Sequence, residues 1–421
     1  MKFIHAADLH IDSPLDGLSA YPDAPVELLR TATRTAFSGL IDRAIAEKVA
    51  FVILAGDIFD GAWREMNTPI FFGREMARLD GAGIYAVLLR GNHDAESQMG
   101  KNLPLPSNVR LFGSEAAETF RLEFPDVKVA LHGQSFKKAE TTENLVRNYP
   151  SPIDGWLNIA VLHTGLEGGT VHAAYSPCSV EELKLKGMDY VALGHIHKAE
   201  ILCKDPWIVM PGNLQGRHIQ ESGPRGAMLV TYENGELQHP ERLLFDVVRW
   251  ATAEVDISTA RNRADAVALA APVFRRIVEQ EADGRPLACR VVFTGKSPAH
   301  GALFGQERIL RAELMAQAIN VAGDNLWIEK IKVRSEPVMD ATFIAARGDA
   351  LGDLQGMLGQ AALDPTFMAS LEAEFRVLLG KVDLDVFKQD VPALNAAKEG
   401  RFAELVAEVA PSVIDRLARE E

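Results

Sequence analysis

The chain has 421 residues, of which 47% are hydrophobic and 24% charged, and its formal net charge is −14 at pH 7. This composition is typical of a globular protein with a sizeable core, and the length predicts two or three domains. The negative charge argues against holding nucleic acid by bulk electrostatics, because that mode needs a basic surface that displaces counterions. Any contact with DNA is therefore expected to be local, assisted by metal ions or supplied by a partner.

The sequence predicts neither a signal peptide nor a membrane span. The first residues, MKFIHAADLH, reach an acid at Asp8 before a long apolar core can form, and no run of about 18 apolar residues follows. Cys178, Cys203 and Cys289 are widely spaced and form no Cys-x-x-Cys, which fits reduced buried thiols better than disulfides or a structural zinc site. We therefore expect a cytoplasmic protein without a membrane contact.

The N-terminal part of the chain alternates short apolar runs with amphipathic segments. Residues 2–7 and 84–89 are predicted strands, and the run 49–60 contains a third that ends at Gly56-Asp57. Residues 26–45 and 68–80 have apolar positions at spacings of three and four, which predicts helices. This alternation of strand and helix predicts α/β layering.

Further along, the pattern divides the chain into three parts. Short β-rich segments at 108–136 and strands at 157–162, 190–193, 207–210 and 226–232 complete the first part. Strands at 247–257, 287–294 and 326–333, with helices at 259–282 and 303–320, predict a small α+β domain. Beyond Pro337 the chain is predicted to be helical to Glu421. The predicted domains are 1–240, 245–336 and 341–421.

Five short polar stretches each lie just past the end of a predicted strand. They are Asp8-x-His10, Gly56-Asp57, Gly91-Asn92-His93-Asp94, His163 and Gly194-His195-x-His197. The carboxyl ends of strands in an α/β sheet share one rim at which ligands bind. We therefore expect these side chains to converge, although each stretch taken alone could be a turn, a helix cap or a core histidine.

The residue types in these stretches indicate a metal site. This ligand set of carboxylates, imidazoles and one amide, without a thiolate, is typical of sites that bind manganese, iron or zinc for catalysis. It is not typical of a closed structural zinc site. Two such ions about 3.5–4 Å apart can lower the pKa of a bridging water and clamp the attacking and leaving oxygens of a phosphoryl transfer. Holding them so close requires a shared carboxylate, for which Asp57 is the candidate. His5 and His132, inside predicted strands, are interpreted as structural, while His172 and His218 stay undecided.

The five stretches resemble the motifs of the calcineurin-like metallophosphoesterases. More narrowly, FIHAADLHIDSP, LAGDIFD, RGNHD, LHTGLEGGTVHAAYSPC, YVALGHIHK and PGNLQGRH resemble the SbcD-type DNA double-strand-break repair nucleases, and most closely their YhaO-like branch. The resemblance covers residues 1–240 and is weaker beyond. It implies a four-layer sandwich of two mixed sheets flanked by helices, with a dimetal site on its rim. The segments beyond are interpreted from their own pattern as a small α+β cap domain and a helical tail.

The resemblance also implies roles for individual residues. One ion would be held by Asp8, His10, Asp57 and His197, and the other by Asp57, Asn92, His163 and His195. The ions are expected to be manganese, with iron(II) or zinc as alternatives.

His93 is expected to stay free of metal. It would donate to the phosphoryl oxygens or to the leaving oxygen, with Asp94 orienting its ring, as general acids and charge stabilisers are usually held. In some members of this nuclease family the residue three positions after the bridging Asp is a histidine that assists catalysis. Here that position is Asp60, which could orient His93 or be a plain turn residue.

The predicted function is a metal-dependent phosphodiesterase acting on DNA, a repair exonuclease or endonuclease. Arg217 and His218 could contact the phosphate backbone or lie in a solvated turn. Apolar stripes on the C-terminal helices could dock on a partner or pack within the fold. The family resemblance implies that the partner would be an SMC-type ATPase like SbcC. Two other functions stay open, a phosphoesterase for small nucleotides and a docking scaffold with a vestigial metal site; a homodimer also stays open.

Overall fold

The structure is a computed structural model that describes residues 1–13, 15, 25–60, 67–96, 105–166, 175–338, 349–361, 363–379, 396–397 and 399–417. The chain divides into two compact units, one of residues 1–251 with 280–288 and the other of residues 252–279 with 289–421. The predicted division into three domains stays a prediction. Among the helices that are described, none is both long enough and apolar enough to cross a membrane.

The first unit is built from strands and helices that alternate over its N-terminal half. Its strands are β1 (Lys2–Ala6), β2 (Phe51–Ala55), β3 (Tyr85–Leu89), β4 (Val109–Leu111), β5 (Glu118–Phe124), β6 (Val127–Gly133), β7 (Leu157–His163), β8 (Tyr190–Gly194), β9 (Glu200–Lys204), β10 (Trp207–Met210), β11 (Gly226–Glu233), β12 (Glu236–Leu237) and β13 (Glu241–Leu244). Its helices are α1 (Val26–Ala46), α2 (Asn67–Gly81), α3 (Asn92–Glu96) and α4 (Val180–Leu185).

These strands form two mixed sheets. The first has the order β12-β11-β1-β2-β3-β4, with β13 beside β11, and β1 to β4 run parallel while β11 is antiparallel to β1. The second has the order β5-β6-β7-β8-β10-β9, with β6, β7, β8 and β10 parallel and the two edge strands antiparallel. The parallel strands β1, β2 and β3 therefore end side by side, as do β7 and β8.

The two sheets pack face to face over an apolar core, because alternate residues of each buried strand point to the same side. Phe3 and Phe51 of the first sheet stack with ring centroids 4.8 Å apart, and Phe3 meets Tyr190 of the second sheet edge to face at 5.4 Å. The opposite face of the first sheet packs on α1 and α2, through residues such as Phe37 and Met76. This architecture confirms the predicted sandwich of two mixed sheets flanked by helices.

Helix α1 shows how the sequence pattern produces the outer layer. Its predicted apolar stripe is largely buried, including Leu29, Phe37 and Leu40. Val26, expected on the same face, is 53% exposed, because it lies in the first turn where the helix begins. The stripe therefore packs from the second turn onwards.

The second unit contains most of a three-stranded sheet and several helices. The strands, in the order β14-β15-β16, are Arg249–Asp256, Leu287–Thr294 and Leu326–Val333. The helices are α5 (Arg263–Ala268), α6 (Ala270–Ile277), α7 (His300–Leu303), α8 (Glu307–Ala322), α9 (Ala350–Ala361), α10 (Pro365–Leu379) and α11 (Phe402–Leu417). Leu351 of α9 and Ile414 of α11 are buried together, and the rings of Phe375 and Phe402 lie 5.6 Å apart.

The single helix predicted over 259–282 is wrong. The structure has α5 and α6 separated at Leu269, followed by a π-helical turn over Val278–Ala282. Pro272 lies in the first turn of α6, where its missing N–H removes the bond that would continue the ladder from α5. The break is therefore a local consequence of proline.

Candidate dimetal site

The predicted ligands all follow strand ends at one rim of the sandwich. Asp8, His10, Asp57 and Asn92 follow β1, β2 and β3 of the first sheet, while His163 ends β7 and His195 and His197 follow β8 of the second. The sheets are tied together here, because the backbone N–H of His195 donates to both carboxylate oxygens of Asp8, at 3.1 and 3.0 Å. The structure thus brings together the residues that sequence analysis grouped.

The backbone at this rim is unusual. Asp8, His10, Asp57 and His195 have positive φ values of 52°, 41°, 51° and 99°. Such conformations cost free energy for residues with a Cβ and are held only where the surrounding structure fixes them, which is common at functional sites. Backbone hydrogen bonds do so here, from Asp8 N to Gly56 O and from His10 N to Asp57 O, both 3.0 Å.

Two glycines allow the loops to pack closely around the ligands. A Cβ on Gly91 would lie 2.3 Å from Oδ1 of Asp57, and one on Gly194 would lie 2.0 Å from the backbone oxygen of Ala55. Both distances are far inside van der Waals contact. The glycines of the RGNHD and GHIH motifs are therefore required by the close approach of neighbouring backbone and ligand atoms.

Asp57 lies at the centre of the cluster. Its Oδ2 is 3.4 Å from Nε2 of His163 and 3.8 Å from Nε2 of His10, while its Oδ1 accepts from the backbone N–H of His93 at 2.9 Å. One carboxylate therefore faces a histidine from each of the two expected ligand sets. Burial alone would raise the pKa of Asp57, but the charge and hydrogen bond of His163 outweigh burial and lower it.

The orientation of His163 follows from its other nitrogen. Its Nδ1 donates to the backbone oxygen of Ala55 at 2.9 Å, so its Nε2 faces Oδ1 of Asn92 at 3.1 Å as well as Asp57. A neutral imidazole with Nδ1–H has a lone pair on Nε2, the form that binds metal. Against the effect of burial, the charge of Asp57 raises the pKa of His163 to about 9.

His10 and His197 form the opposite side of the cluster. Their Nε2 atoms lie 3.3 Å apart, and Nε2 of His197 is 3.8 Å from Oδ1 of Asp8. His197 donates from Nδ1 to Oε1 of Glu221 at 2.6 Å. Burial, together with the nearby charge of Arg217, lowers the pKa of His10 well below its usual range.

This arrangement fits two divalent cations. Nε2 of His163 faces oxygens of Asp57 and Asn92, and Nε2 of His197 faces Asp8 and His10. Acceptor atoms that face one another in a buried site need a proton or a cation between them. Two groups, Asp8 with His10 and His197, and Asp57 with His163 and His195, each have ligand atoms within 4.8 Å of one another. The donor set is hard to borderline, as sequence analysis expected, and the assignment of each ligand stays a prediction.

His93 lies beside the cluster, and its orienting acid differs from the expected one. Its Nδ1 donates to Oδ1 of Asp60 at 3.0 Å, and this hydrogen bond raises the pKa of His93. Asp94, which was expected to orient this ring, instead accepts from the backbone N–H groups of Ile58, Phe59 and Gly91 at 2.9–3.1 Å. The expectation that Asp94 orients His93 is therefore wrong, and Asp60 orients the ring instead. The carboxylate of Asp94 is bound to the backbone of the loops that carry Asp57 and Asn92.

Burial and the charge of Asp57 raise the pKa of Asp94 to about 6, against the lowering effect of its backbone donors. Asp60 is itself fixed, since the hydroxyl of Ser13 donates to its Oδ2 at 2.8 Å. The His93 side chain is 38% exposed, whereas Asp57 is 1% exposed. His93 is therefore accessible to a substrate at the rim.

Arg217 and His218 lie near the same rim, around one carboxylate. Nη2 of Arg217 is 3.3 Å and Nε2 of His218 is 3.4 Å from Oε1 of Glu221, and Nη1 of Arg217 is 4.0 Å from Oδ2 of Asp60. Arg217 is therefore part of the charged surroundings of His93 and His197, and not of an isolated solvated turn. His172 lies outside the described residues.

Sequence analysis missed Glu221 altogether and left Asp60 open. Glu221 is 5% exposed, and although burial would raise its pKa, the hydrogen bond from His197 and the charge of Arg217 lower it well below the usual range. A glutamate in a Gly- and Pro-rich loop is ordinarily solvated. The only signal in the sequence is its spacing of three and four residues from His218 and Arg217.

Two protein families match parts of this chain. The calcineurin-like phosphoesterase family matches residues 1–199, and the middle domain of metallophosphoesterase YhaO matches residues 250–336. The uncharacterized metallophosphoesterase YhaO of Bacillus subtilis (strain 168) is 34% identical over 300 residues, which cover 71% of this chain and 72% of that protein.

Other relatives are more distant. The DNA double-strand break repair protein Mre11 of Methanopyrus kandleri is 24% identical over 216 residues, which cover 47% of this chain and 44% of that protein. The SbcD subunit of the SbcCD nuclease of Escherichia coli (strain K12) is 24% identical over 286 residues, which cover 58% of this chain and 68% of that protein. The chain therefore belongs to the calcineurin-like metallophosphoesterases and carries the YhaO middle domain.

Proposed function

We propose that this protein is a metal-dependent phosphodiesterase that hydrolyses DNA. The observation that carries the proposal is the position of Asp57, whose one carboxylate faces His163 at 3.4 Å and His10 at 3.8 Å. Asp8, His10, Asp57 and His197 would hold one ion, and Asp57, Asn92, His163 and His195 the other. Two divalent ions, which we propose to be manganese, would supply positive charge for the phosphoryl oxygens and an acidified water.

The rim residues have roles that follow from their contacts. Asp60 holds Nδ1 of His93, so Nε2 is the nitrogen that is available to donate to the leaving oxygen of a bound phosphodiester. Arg217, whose guanidinium lies beside Asp60 and Glu221, would add a fixed positive charge for a phosphate. Hydrolysis of a phosphodiester at this rim therefore has a ligand set, a proton donor and a charge stabiliser.

DNA is the proposed substrate because two of the relatives are named as a DNA double-strand break repair protein and a subunit of a nuclease. The net charge of −14 favours a second candidate, a phosphoesterase for small nucleotides, because such substrates need no basic surface. The third candidate, a scaffold with a vestigial site, is disfavoured because the whole expected ligand set lies at one rim and all of its members except His197 are buried.

We further propose that the protein acts in the cytoplasm with an SMC-type ATPase like SbcC, which would supply DNA affinity that the acidic chain lacks. The support is a set of exposed apolar side chains of the predicted stripes on the C-terminal helices, with Val409 53%, Phe367 44% and Val413 39% exposed. Other residues of the predicted stripes, such as Ile414, are buried within the unit. The stripes therefore serve partly as core, and their exposed parts are the proposed contact.

A substrate panel tests the function. Full-length protein is assayed with Mn²⁺ on linear DNA, nicked DNA, a cyclic nucleotide and bis(p-nitrophenyl) phosphate, with the Asp57→Asn variant as control for contaminating activity. We expect cleavage of linear DNA that the control lacks. Turnover of the cyclic nucleotide without DNA cleavage would favour the small-nucleotide function, and inactivity on every substrate despite bound Mn²⁺ would favour the scaffold.

A further inference from the structure

Glu221 is a buried carboxylate whose contacts converge from several directions. Its Oε1 accepts from Nδ1 of His197 at 2.6 Å, and its Oε2 accepts from Nδ2 of Asn213 at 2.8 Å and from the backbone N–H of Arg217 at 2.7 Å. It is 5% exposed. A buried carboxylate with this many donors remains charged and cannot rotate without breaking several hydrogen bonds.

The loop that carries Glu221 is fixed by buried polar side chains. Asn213 also donates to the backbone oxygen of Gln215, and Nε2 of Gln215 donates to the backbone oxygen of Val248 at 2.7 Å. The indole N–H of Trp250 donates to the backbone oxygen of Gly216 at 2.8 Å. On the other side of Glu221 the backbone N–H of Gly223 donates to the backbone oxygen of Trp250 at 3.2 Å. Because both ends of the loop are anchored, the position of the Glu221 carboxylate is set by the fold before any ligand binds.

The first consequence concerns His197. With its Nδ1–H donated to Glu221, the lone pair of its Nε2 faces Oδ1 of Asp8 at 3.8 Å and Nε2 of His10 at 3.3 Å. A carboxylate behind a histidine fixes the tautomer, holds the ring and makes the other nitrogen a better metal ligand. Glu221 stands in that relation to His197.

The second consequence concerns Arg217. Its Nη2 lies 3.3 Å from the same Oε1, and its side chain is 14% exposed. Since Glu221 binds both the backbone N–H and the guanidinium of Arg217, it holds this cation at the rim, where Nη1 is 4.0 Å from Oδ2 of Asp60. One carboxylate therefore fixes a histidine of the site and the arginine beside it.

We propose that Glu221 is a positioning residue for both, fixing His197 for a metal ion and Arg217 for the phosphate of a substrate. This inference rests on the proposed dimetal function. It predicts that loss of the charge at position 221 weakens metal binding itself, before any substrate is added. Its test can therefore be separated from the choice of substrate.

The experiment titrates chelator-stripped full-length protein with MnCl₂ and follows free Mn²⁺ by electron paramagnetic resonance. Glu221→Gln keeps the size of the side chain and removes its charge, and we expect affinity for one of two ions to fall by about 10- to 100-fold. Glu75→Gln is the matched control. It removes the charge of another buried carboxylate, which accepts from Ser38 of α1 and Arg78 of α2, and we expect its Mn²⁺ affinity to stay close to that of the wild type.

Two results of the titration would overturn the proposal. One is a Glu221→Gln variant that binds both ions like the wild type, and the other is an equal loss in Glu75→Gln, which would assign the effect to the loss of any buried charge. Normal Mn²⁺ binding by the wild type without DNA cleavage would instead contradict the proposed function and leave this inference standing.

If Glu221→Gln does not fold, nitrogen-15 spectra of the histidines in the metal-free wild type decide the question. We expect His197, assigned by its loss in His197→Gln, to be protonated on Nδ1 and not on Nε2. The opposite tautomer would overturn the proposal.

Discussion

His93 donates from Nδ1 to Asp60, whose Oδ1 lies 3.0 Å away, and Asp60 in turn accepts from the hydroxyl of Ser13 at 2.8 Å. The ring of His93 is therefore oriented by a residue from the loop after β2, the same loop that supplies Asp57. A chain of three side chains holds the proposed proton donor at the edge of the site. This relationship gives the first prediction.

Replacing Asp60 by Asn should lower kcat on bis(p-nitrophenyl) phosphate by at least about tenfold, because an amide orients His93 less firmly and does not stabilise its charged form. Metal content, measured by inductively coupled plasma mass spectrometry, should stay at the wild-type level. Ser13→Ala, which removes only the hydrogen bond from Ser13 to Asp60, should lower kcat by a smaller factor. An unchanged kcat in Asp60→Asn would remove Asp60 from the mechanism.

The shared position of Asp57 predicts an asymmetry between two inactive variants. Asp57→Asn should lose both ions and hydrolysis, because the amide cannot bridge two cations. His93→Ala should lose hydrolysis but keep both ions, since its ring is held by Asp60 and lies outside the proposed ligand sets. Metal analysis of the purified variants checks this. A His93→Ala protein that comes out stripped of metal would contradict the role given to His93.

Arg217 and His218 predict a salt-dependent loss of DNA affinity. The double replacement by alanine should weaken binding to linear DNA and flatten the dependence of log K on log salt by about 0.9 for each phosphate that is no longer neutralised. Lys137→Ala is the control, because it removes an exposed lysine paired with Glu115. Fluorescence anisotropy at several salt concentrations measures both quantities. An unchanged slope in the double variant would show that these side chains do not bind a phosphate.

The buried histidine of β1 predicts acid sensitivity. Burial lowers the pKa of His5 from 6.5 to about 3, although its hydrogen bond to the backbone oxygen of Leu193 opposes this. Between pH 6.5 and 3 the unfolded chain then binds a proton that the folded chain does not. The free energy of unfolding therefore falls as the pH falls through this window.

At pH 5 this loss amounts to roughly 2 kcal/mol for His5. His5→Gln can keep contacts to Tyr190 and Leu193 but cannot titrate. Between pH 7 and pH 5 its free energy of unfolding should therefore fall by that much less than that of the wild type. Urea unfolding of the two proteins with a chelator present measures the difference. Equal losses in both would show that His5 does not carry the effect.

The C-terminal helix α11 has both exposed and buried apolar residues, and their roles can be tested separately. Val409 and Val413, four residues apart, are 53% and 39% exposed, whereas Ile414 is 1% exposed. If the exposed pair contacts the proposed ATPase, changing both to Asp should abolish co-purification and leave hydrolysis of a small phosphodiester intact. Ile414→Ala should instead lower thermal stability. If the double variant still co-purifies with the ATPase, Val409 and Val413 do not form the proposed contact.

The sequence predicts the ligand cluster well because each member follows a strand whose apolar run is readable on its own. The strands Lys2–Ala6, Phe51–Ala55 and Leu157–His163 are buried except at Lys2. The sheet therefore places the polar residue at or just past the end of each strand at the rim. Local sequence and sheet geometry together therefore suffice to bring Asp8, Asp57 and His163 to one place.

The contacts of Asp60, Asp94 and Glu221 could not be predicted in the same way. Asp94 adjoins His93 in the chain, yet its carboxylate turns to backbone donors of two loops while Asp60 reaches the ring. The direction of each side chain depends on loop conformation, which hydrogen bonds between distant segments determine. The break at Pro272, in contrast, was readable from one residue and was missed because the apolar pattern continues across it.

The bond from the backbone of His195 to the carboxylate of Asp8 has a consequence for when activity arises. Asp8 follows a strand of one sheet and His195 a strand of the other, and each ligand set draws on both sheets. A chain in which only one sheet has formed, or in which the two sheets are misaligned, has only part of each proposed ligand set and is not expected to hold the ions. The proposed hydrolytic activity would thus be absent from nascent and damaged molecules and would arise only when folding is complete.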